Sequence, residues 1–182
     1  MAWFGDAHHK KREVEVFAYV ELTQRQLQAP GLLLVCADGA GKPNAMTIGW
    51  GFIGFIWNWP MFVVPVRPQR YTHGLIEARG DFTVNVMPAN LAEVVSYCGS
   101  VSGREHDKFA ERGLTAEPGA RVSSPRIAEA MIQYECQVVY KDDVKLDLLD
   151  PEAAKACYPG GDWHRLFFGR ILAVHAEEVK SK

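Results

Sequence analysis

The sequence has almost no excess charge of either sign. Its 182 residues include 20 Lys and Arg against 22 Asp and Glu, so the net charge is about −2 at pH 7. Proteins that bind a nucleic acid backbone usually present a strongly positive surface. The charge balance therefore argues against a nucleic acid partner. The chain length suits one compact domain and leaves no room for a second large one.

Cysteine is scarce and shows no metal-binding spacing. The four cysteines occur singly, at Cys36, Cys98, Cys136 and Cys157. Without a CxxC motif or a nearby Cys/His pair, we expect reduced thiols, no metal site and a cytoplasmic protein. His8 and His9 could bind a metal, but adjacent residues near a chain end chelate poorly, so we interpret them as a solvated end. Residues 1–16 contain no apolar segment typical of a secretion signal.

The common catalytic signatures are also absent. The chain contains no Walker-type glycine loop, no GxSxG elbow, no HExxH pair and no GxGxxG after a predicted strand. This absence argues against most hydrolases and phosphoryl-transfer enzymes. It also means that a nicotinamide cofactor would not be bound by a Rossmann unit.

One long segment has no charged side chain. This uncharged run, residues 43–66, is long enough to span a membrane, for which about 20 apolar residues suffice. However, three prolines, three glycines and Asn58 would leave backbone groups unpaired in lipid. The remaining residues are mostly β-branched or aromatic, which favours strands. We therefore predict two strands joined near Asn58 to Pro60 and buried on both faces, with a soluble core favoured over a membrane span.

The rest of the chain predicts more strands connected by short helices. Strands are expected at 31–38, 81–87, 132–140 and 164–178, the third half-buried and the last bulged at Gly169. Helices are expected at 73–79 after a Thr72 cap, at 89–98, at 107–112 and from a cap at Asp150 to about 157. This pattern is typical of a mainly β, closed or nearly closed barrel. Residues 1–12 and 178–182 are expected to be flexible ends.

Three segments could form a ligand pocket, and the first suits a flat ring. It combines amide, hydroxyl, aromatic and thioether groups in the residues Asn44, Met46, Thr47, Ile48, Gly49 and Trp50. Such a mixture suits a heteroaromatic ligand with polar edges and a face that can stack. The alternative is a turn asparagine and a core tryptophan.

The second and third segments suit an anion. Arg67, Arg70 and Tyr71 precede the predicted helix start at Thr72, where guanidinium groups and free backbone amides could bind a phosphate. The alternative is a solvated basic turn. Ser102, Gly103 and Lys108 could close over the same anion, or belong to a surface turn.

One histidine also stands out. His164 precedes the last strand and is the best histidine candidate for a site, although a structural role is the alternative.

Five stretches, in order, resemble the flavin reductase-like family of FMN-binding split barrels, which includes flavoredoxin. They cover most of the chain from about Gly31 to Ala176 and read NAMTIGW, RPQRYTHGLIEARGDFTVNVMP, YCGSVSGREHDKFAERGLT, IAEAMIQYECQV and GGDWHRLFFGRI. The resemblance implies a six-stranded antiparallel split barrel with short helices on its connections. It also implies a homodimer with FMN at the barrel mouth, close to the partner subunit.

The resemblance further implies roles for the site residues. Asn44, Thr47 and Trp50 match positions around the isoalloxazine ring, within the segment that includes Met46, Ile48 and Gly49. The phosphate would be bound by Arg70, Thr72 and Lys108, with Ser102 near the phosphate end. His164 matches a histidine that approaches the nicotinamide or flavin edge. Pro65 and Trp163 depart from the pattern, within a strand and beside this histidine.

These features lead to a functional hypothesis with two alternatives. We expect an enzyme that accepts hydride from NADH or NADPH on FMN and passes electrons to free flavin, a metal complex or a protein. The first alternative is a flavoredoxin-type electron carrier that a protein partner reduces. The second is a ligand-binding barrel without redox activity.

Overall fold

The computed structural model describes residues 11–177, which form ten strands and five α-helices. The strands are β1 (Lys11–Glu13), β2 (Leu32–Ala37), β3 (Pro43–Ile48), β4 (Phe52–Ile56), β5 (Trp59–Val66), β6 (Asp81–Val86), β7 (Ala116–Glu117), β8 (Arg126–Ile127), β9 (Ile132–Asp143) and β10 (Arg165–Glu177). The helices are α1 (Val20–Gln28), α2 (Tyr71–Arg79), α3 (Ala92–Ser100), α4 (Lys108–Arg112) and α5 (Pro151–Cys157). A 3-10 turn at Ala89–Leu91 precedes α3. The expected flexible residues 1–10 and 178–182, with His8 and His9, lie outside the described residues.

One antiparallel sheet of eight strands organises these elements. Its order is β3-β2-β6-β9-β10-β5-β4, and β1 pairs with the far end of β10. β7 and β8 form a separate two-stranded ribbon. The 13-residue β10 pairs with β9 along one edge and with β5 and then β1 along the other, and its register against β9 shifts at Phe168/Gly169 and again between Ile171 and Ala173. The bulge predicted at Gly169 is thus confirmed. The mainly β fold class is confirmed as well, although eight strands rather than six make up the sheet.

The core has two parts on opposite faces of β2. Leu32, Leu34 and Cys36 face the larger cluster inside the curved sheet, whereas Leu33 and Val35 face the cluster under α3 and α4. Successive side chains of a strand point to opposite faces, so a strand buried on both faces is apolar throughout. The first half of β9 is likewise buried on both faces, so the half-buried pattern predicted there is wrong for Ile132 to Cys136.

The uncharged run forms three strands, so the prediction of two strands was incomplete. β3 ends at Ile48 and β4 begins after Gly51, whose φ of +145° and close approach to the Val63 carbonyl exclude a side chain. The turn predicted near Asn58 is confirmed, with positive φ at both Trp57 and Asn58. Burial on both faces is wrong for β4, whose Phe55 is 65% exposed. No helix among residues 11–177 is long and apolar enough to cross a membrane.

The predicted helices are found with one change of cap. α2 begins at Tyr71 with Arg70 as its N-cap, so Thr72 lies inside the first turn and does not cap it. Asp150 caps α5 as predicted, and Asp107, which was predicted as the start of a helix, caps α4; both accept hydrogen bonds from backbone amides of the first turn. The sequence did not predict α1 or β1. Lys11 and Arg12 pair with Glu177 and Ala176, so these two residues are not part of a flexible end.

Candidate functional site

A cleft of about 720 Å³ opens where β3, the start of α2, the loop between α3 and α4 and the start of β10 meet. All thirteen residues singled out from the sequence line it: Asn44, Met46, Thr47, Ile48, Gly49, Trp50, Arg67, Arg70, Tyr71, Thr72, Ser102, Lys108 and His164. The size is within the range of about 300–1,000 Å³ of small-molecule sites. The two segments expected to bind ring and anion therefore face one shared cavity.

The position of β3 explains how one short segment can contribute so many residues. β3 is the last strand at one edge of the sheet, so both of its faces can border a cleft at that edge. Asn44, Met46 and Ile48 face α2 and the larger core cluster. Thr47 faces α3 instead, where its hydroxyl donates to the Val95 carbonyl. That hydroxyl proton is already used by the protein, which leaves its oxygen as the acceptor available to a ligand.

Lys108 places a buried positive charge at the anion end of the cleft. Lys108 is 4% exposed, and its Nζ donates to the carbonyls of Ala45 at 2.8 Å and Cys98 at 2.7 Å. An ammonium has three N–H donors, so one remains for a ligand. Within residues 11–177 no carboxylate forms an ion pair with it. Burial, with a smaller effect of nearby Arg70, lowers the pKa of Lys108.

Arg70 adds a second positive charge to this end. Its side chain is exposed and makes no hydrogen bond or ion pair with other residues in the range 11–177. It is close enough to Lys108 and to His164 to lower the pKa of each. Two unneutralised cations beside each other repel, and an anion between them would relieve that repulsion.

The first turn of α2 supplies backbone donors to the same end. Tyr71 and Thr72 are the first two helical residues, and the amides of a first turn have no acceptor within their own helix. The helix N-terminus also carries a partial positive charge. Thr72 is 1% exposed, and its hydroxyl oxygen accepts from Asn44 Nδ2 at 2.8 Å. Its own proton is therefore free to donate.

Gly103 allows the loop after α3 to close over this turn. A Cβ on Gly103 would lie 1.9 Å from Asn44 Oδ1 and 2.9 Å from Tyr71 Cδ1. Only a residue without a side chain fits at that distance. Ser102, next to it, accepts a hydrogen bond from the Arg104 amide and keeps the loop turned toward the cleft.

The opposite end of the cleft is aromatic. Trp50 is 48% exposed, and its ring centroid lies 5.1 Å from that of His164. Tyr158 lies behind the histidine, with its hydroxyl 3.0 Å from His164 Nδ1. Burial, followed by the nearby charge of Arg67, lowers the pKa of His164 to about 4, so the imidazole is neutral at pH 7.

Arg67 lines the cleft and anchors a neighbouring loop. Its Nη1 donates to the carbonyl and carboxylate oxygens of Asp162, both at 2.7 Å, and its Nη2 donates to the Cys157 carbonyl at 3.1 Å. These contacts hold the loop between α5 and β10. A role for Arg67 in the anion receptor stays a prediction, since three of its five N–H donors are used to anchor this loop.

Sequence reasoning missed two further residues at the rim. Arg104 donates to the Gln69 carbonyl at 3.0 Å and lies over the Tyr71 ring, and both Arg104 and Gln69 line the cleft. The signal was present, since Arg104 follows Ser102 and Gly103 directly. A basic residue in a charged segment cannot be distinguished from a solvated one until the fold shows what it contacts.

Comparison with known proteins agrees with this geometry. Residues 26–182 match a family model described as a flavin reductase like domain. An uncharacterized protein of Archaeoglobus fulgidus is 32% identical over 144 residues, which cover 79% of this chain and 71% of that protein.

Solved structures show the same fold. The flavoredoxin of Desulfovibrio vulgaris (Miyazaki F) has a TM-score of 0.68 and 27% identity, over 84% of this chain and 72% of its own. A protein with a split barrel domain from Shewanella frigidimarina NCIMB 400 has a TM-score of 0.67, over 93% of this chain and 78% of its own. Its identity is 16%, so it supports the split-barrel fold alone.

Proposed function

Because the chain belongs to the flavin reductase-like domain family, we propose that it is an FMN-binding oxidoreductase that takes hydride from NADH or NADPH. Its electrons would pass to free flavin, a metal complex or a protein acceptor. The observation that carries this proposal is the division of one cleft into a cationic end, with Lys108 and Arg70, and an aromatic end at Trp50.

The residues present fit a phosphorylated flat ring. Lys108 has a spare N–H and no carboxylate partner within the described chain, and the amides of Tyr71 and Thr72 begin a helix beside it. These are donors that a phosphate dianion requires. A ring with polar edges finds the Trp50 face at the other end, and Asn44 and the Thr47 oxygen along the same cleft. FMN, when bound, supplies the redox chemistry, and the protein supplies binding, orientation and electrostatics.

The side chains then have distinct tasks in this proposal. Lys108 and Arg70 hold the anion and provide positive charge, which favours a cofactor that becomes more negative on reduction. Trp50 excludes water from one part of the cleft. His164 is neutral at pH 7 and provides a polar contact to the nicotinamide or the ring edge without adding charge.

A second candidate is a flavoredoxin-type electron carrier. The similarity to a solved flavoredoxin favours it, at a TM-score of 0.68. A carrier would bind FMN equally well but would be reduced by a protein partner. The cleft alone fits both candidates, because both need the same binding residues.

The visible spectrum of the purified protein, taken before and after anaerobic NADH or NADPH, tests the proposal. We expect the protein to show flavin absorption. This absorption should bleach within the time of one turnover when NADH or NADPH is added. A protein that carries FMN but stays oxidised under stopped-flow mixing would support the carrier instead. A colourless protein that does not take up added FMN would refute both.

We also propose a cytoplasmic homodimer. The cytoplasmic location rests on four cysteines that form no disulfide. The homodimer is supported by the hairpin of β4 and β5, which exposes a row of large apolar side chains at one edge of the sheet. These are Phe52, Phe55, Ile56, Trp57 and Trp59. Light scattering after size exclusion should give twice the chain mass, and Phe55→Glu should lower it.

A further inference from the structure

The contacts of His164 with its neighbours define its orientation. The Tyr158 hydroxyl is 3.0 Å from His164 Nδ1, and the two rings meet edge to face with centroids 5.6 Å apart. The Trp50 ring packs against the same imidazole at 5.1 Å. His164 is 9% exposed, and both rings pack against it.

The direction of the hydrogen bond follows from the chemistry of the two groups. Burial raises the pKa of Tyr158, so its hydroxyl keeps its proton at pH 7. Among residues 11–177 that proton has no other acceptor than His164 Nδ1. A phenol O–H is a good donor and an unprotonated imidazole nitrogen is a good acceptor. Tyr158 therefore donates, and the proton of the neutral imidazole lies on Nε2.

The second ring nitrogen is the one that meets the cleft. His164 lines the cleft, and its Nε2 forms no hydrogen bond with the described part of the chain. Nε2 is also not one of the buried atoms that lack a partner, unlike Nε2 of His73. It is thus open to the cavity, where it can donate a hydrogen bond to a carbonyl or anionic oxygen of a bound molecule.

The loop that carries Tyr158 is itself held in place. Arg67 donates to the Cys157 carbonyl, one residue before Tyr158. It also donates to the backbone carbonyl and the carboxylate of Asp162, two residues before His164. Its guanidinium also lies 5.5 Å from the centroid of the Tyr158 ring. Gln69 donates to the same Asp162 carboxylate. The two residues of the pair are therefore anchored to one fixed turn after β5.

We propose that Tyr158 is a positioning residue that holds His164 in the Nε2–H tautomer, so that His164 offers a hydrogen-bond donor beside Trp50 to a carbonyl-bearing ligand. The tautomer of His164 is a property of the protein without a bound ligand. Only the role of the Nε2–H donor in turnover, as a contact to a nicotinamide carboxamide or a ring carbonyl, rests on the function proposed above.

The tautomer can be measured by long-range ¹H–¹⁵N NMR of the histidine-labelled full-length protein at pH 7, without added ligand. The spectra of His164→Gln identify the His164 signals. We expect wild-type His164 to be protonated on Nε2. In Tyr158→Phe the preference for this tautomer should fall about fivefold, the effect of losing one neutral hydrogen bond of about 1 kcal/mol.

Tyr97→Phe is the control for loss of a tyrosine hydroxyl beside a histidine, because the Tyr97 hydroxyl lies 3.3 Å from His106 Nδ1 and donates to Glu111. It should change the His106 signals and leave those of His164 unaltered. An Nδ1–H tautomer in the wild type, or an unchanged His164 spectrum in Tyr158→Phe, would overturn the inference. Either result is independent of FMN binding, so it can be distinguished from failure of the proposed function. If NADH is oxidised, Tyr158→Phe should lower kcat with FMN affinity retained.

Discussion

Gly103→Ala tests whether the loop after α3 packs as closely on Asn44 and the first turn of α2 as the geometry indicates. The new Cβ would lie 1.9 Å from Asn44 Oδ1 and 2.7 Å from Asn44 Cγ. Asn44 is 6% exposed and is tied to Thr72 by a hydrogen bond of 2.8 Å. It cannot move aside without breaking that bond, so either Asn44 or the loop that carries Gly103 must shift.

The loss of stability has two contributions, the broken hydrogen bond and the overpacking of the site. Loss of the hydrogen bond costs about 0.5–1.5 kcal/mol, and overpacking of a filled site costs about 1–3 kcal/mol. We expect the free energy of unfolding to fall by about 2 kcal/mol, because part of the strain is relieved by loop movement, and Tm to fall by about 4–8 °C. FMN affinity should fall at least about tenfold, since the displaced groups line the anion end of the cleft.

The assays are thermal denaturation of the FMN-free protein and titration of flavin fluorescence. Gly74→Ala is the matched control, because Gly74 lies in α2 with nothing within 4 Å of an added Cβ. It should stabilise the helix by about 0.5–1 kcal/mol and leave FMN affinity unchanged. If Gly103→Ala melts and binds FMN as the wild type does, the close packing of Gly103 on Asn44 is refuted.

Three other predictions concern charge, turnover and pH. Arg70→Ala should weaken FMN binding about ten- to a hundredfold by removing a charge-assisted contact of about 1.5–3 kcal/mol; equal affinity in an equilibrium titration would mean that the phosphate lies elsewhere. His164→Ala should slow NAD(P)H oxidation with FMN still bound, and unchanged turnover would make His164 structural. Burial lowers the folded-state pKa of His73, His164 and His175, so the unfolded chain takes up protons first and stability falls as pH drops below about 6.5. For His164 this loss is about 2 kcal/mol at pH 5; urea unfolding at pH 7.5 and pH 5 measures it, and a loss in His164→Gln as large as in the wild type would contradict the assignment.

Local patterns in the sequence were sufficient where the cause is local. Asp150 caps its helix, Gly80 and Gly113 end theirs, and the Trp57 to Asn58 turn closes a hairpin. Each depends on a few neighbouring dihedral angles and side chains, so it can be predicted without the fold. The same holds for the mainly β class, which follows from β-branched and aromatic runs.

Burial could not be predicted in the same way. β4, like β5, has no charged side chain, yet β4 lies at the sheet edge with Phe55 exposed, and β5 lies inside the sheet with Phe62 and Val64 buried. Composition does not encode which strand becomes an edge, because that depends on long-range pairing. Helix α1 was missed because it has no capping signal at its start: its N-cap is Tyr19, which makes no side-chain capping hydrogen bond.

In the candidate site, too, some features have local causes and others depend on the fold. The residue types alone determined that the chain carries a ring-binding segment, a basic turn before a helix and a histidine before the last strand. Only the tertiary structure decided that they share one cleft, that Arg67 anchors a loop to Asp162 and that Lys108 is buried without a carboxylate partner in the described chain. The physical reason is that the role of a charged side chain depends on its neighbours in space, and the fold brings those neighbours together from positions far apart in the chain.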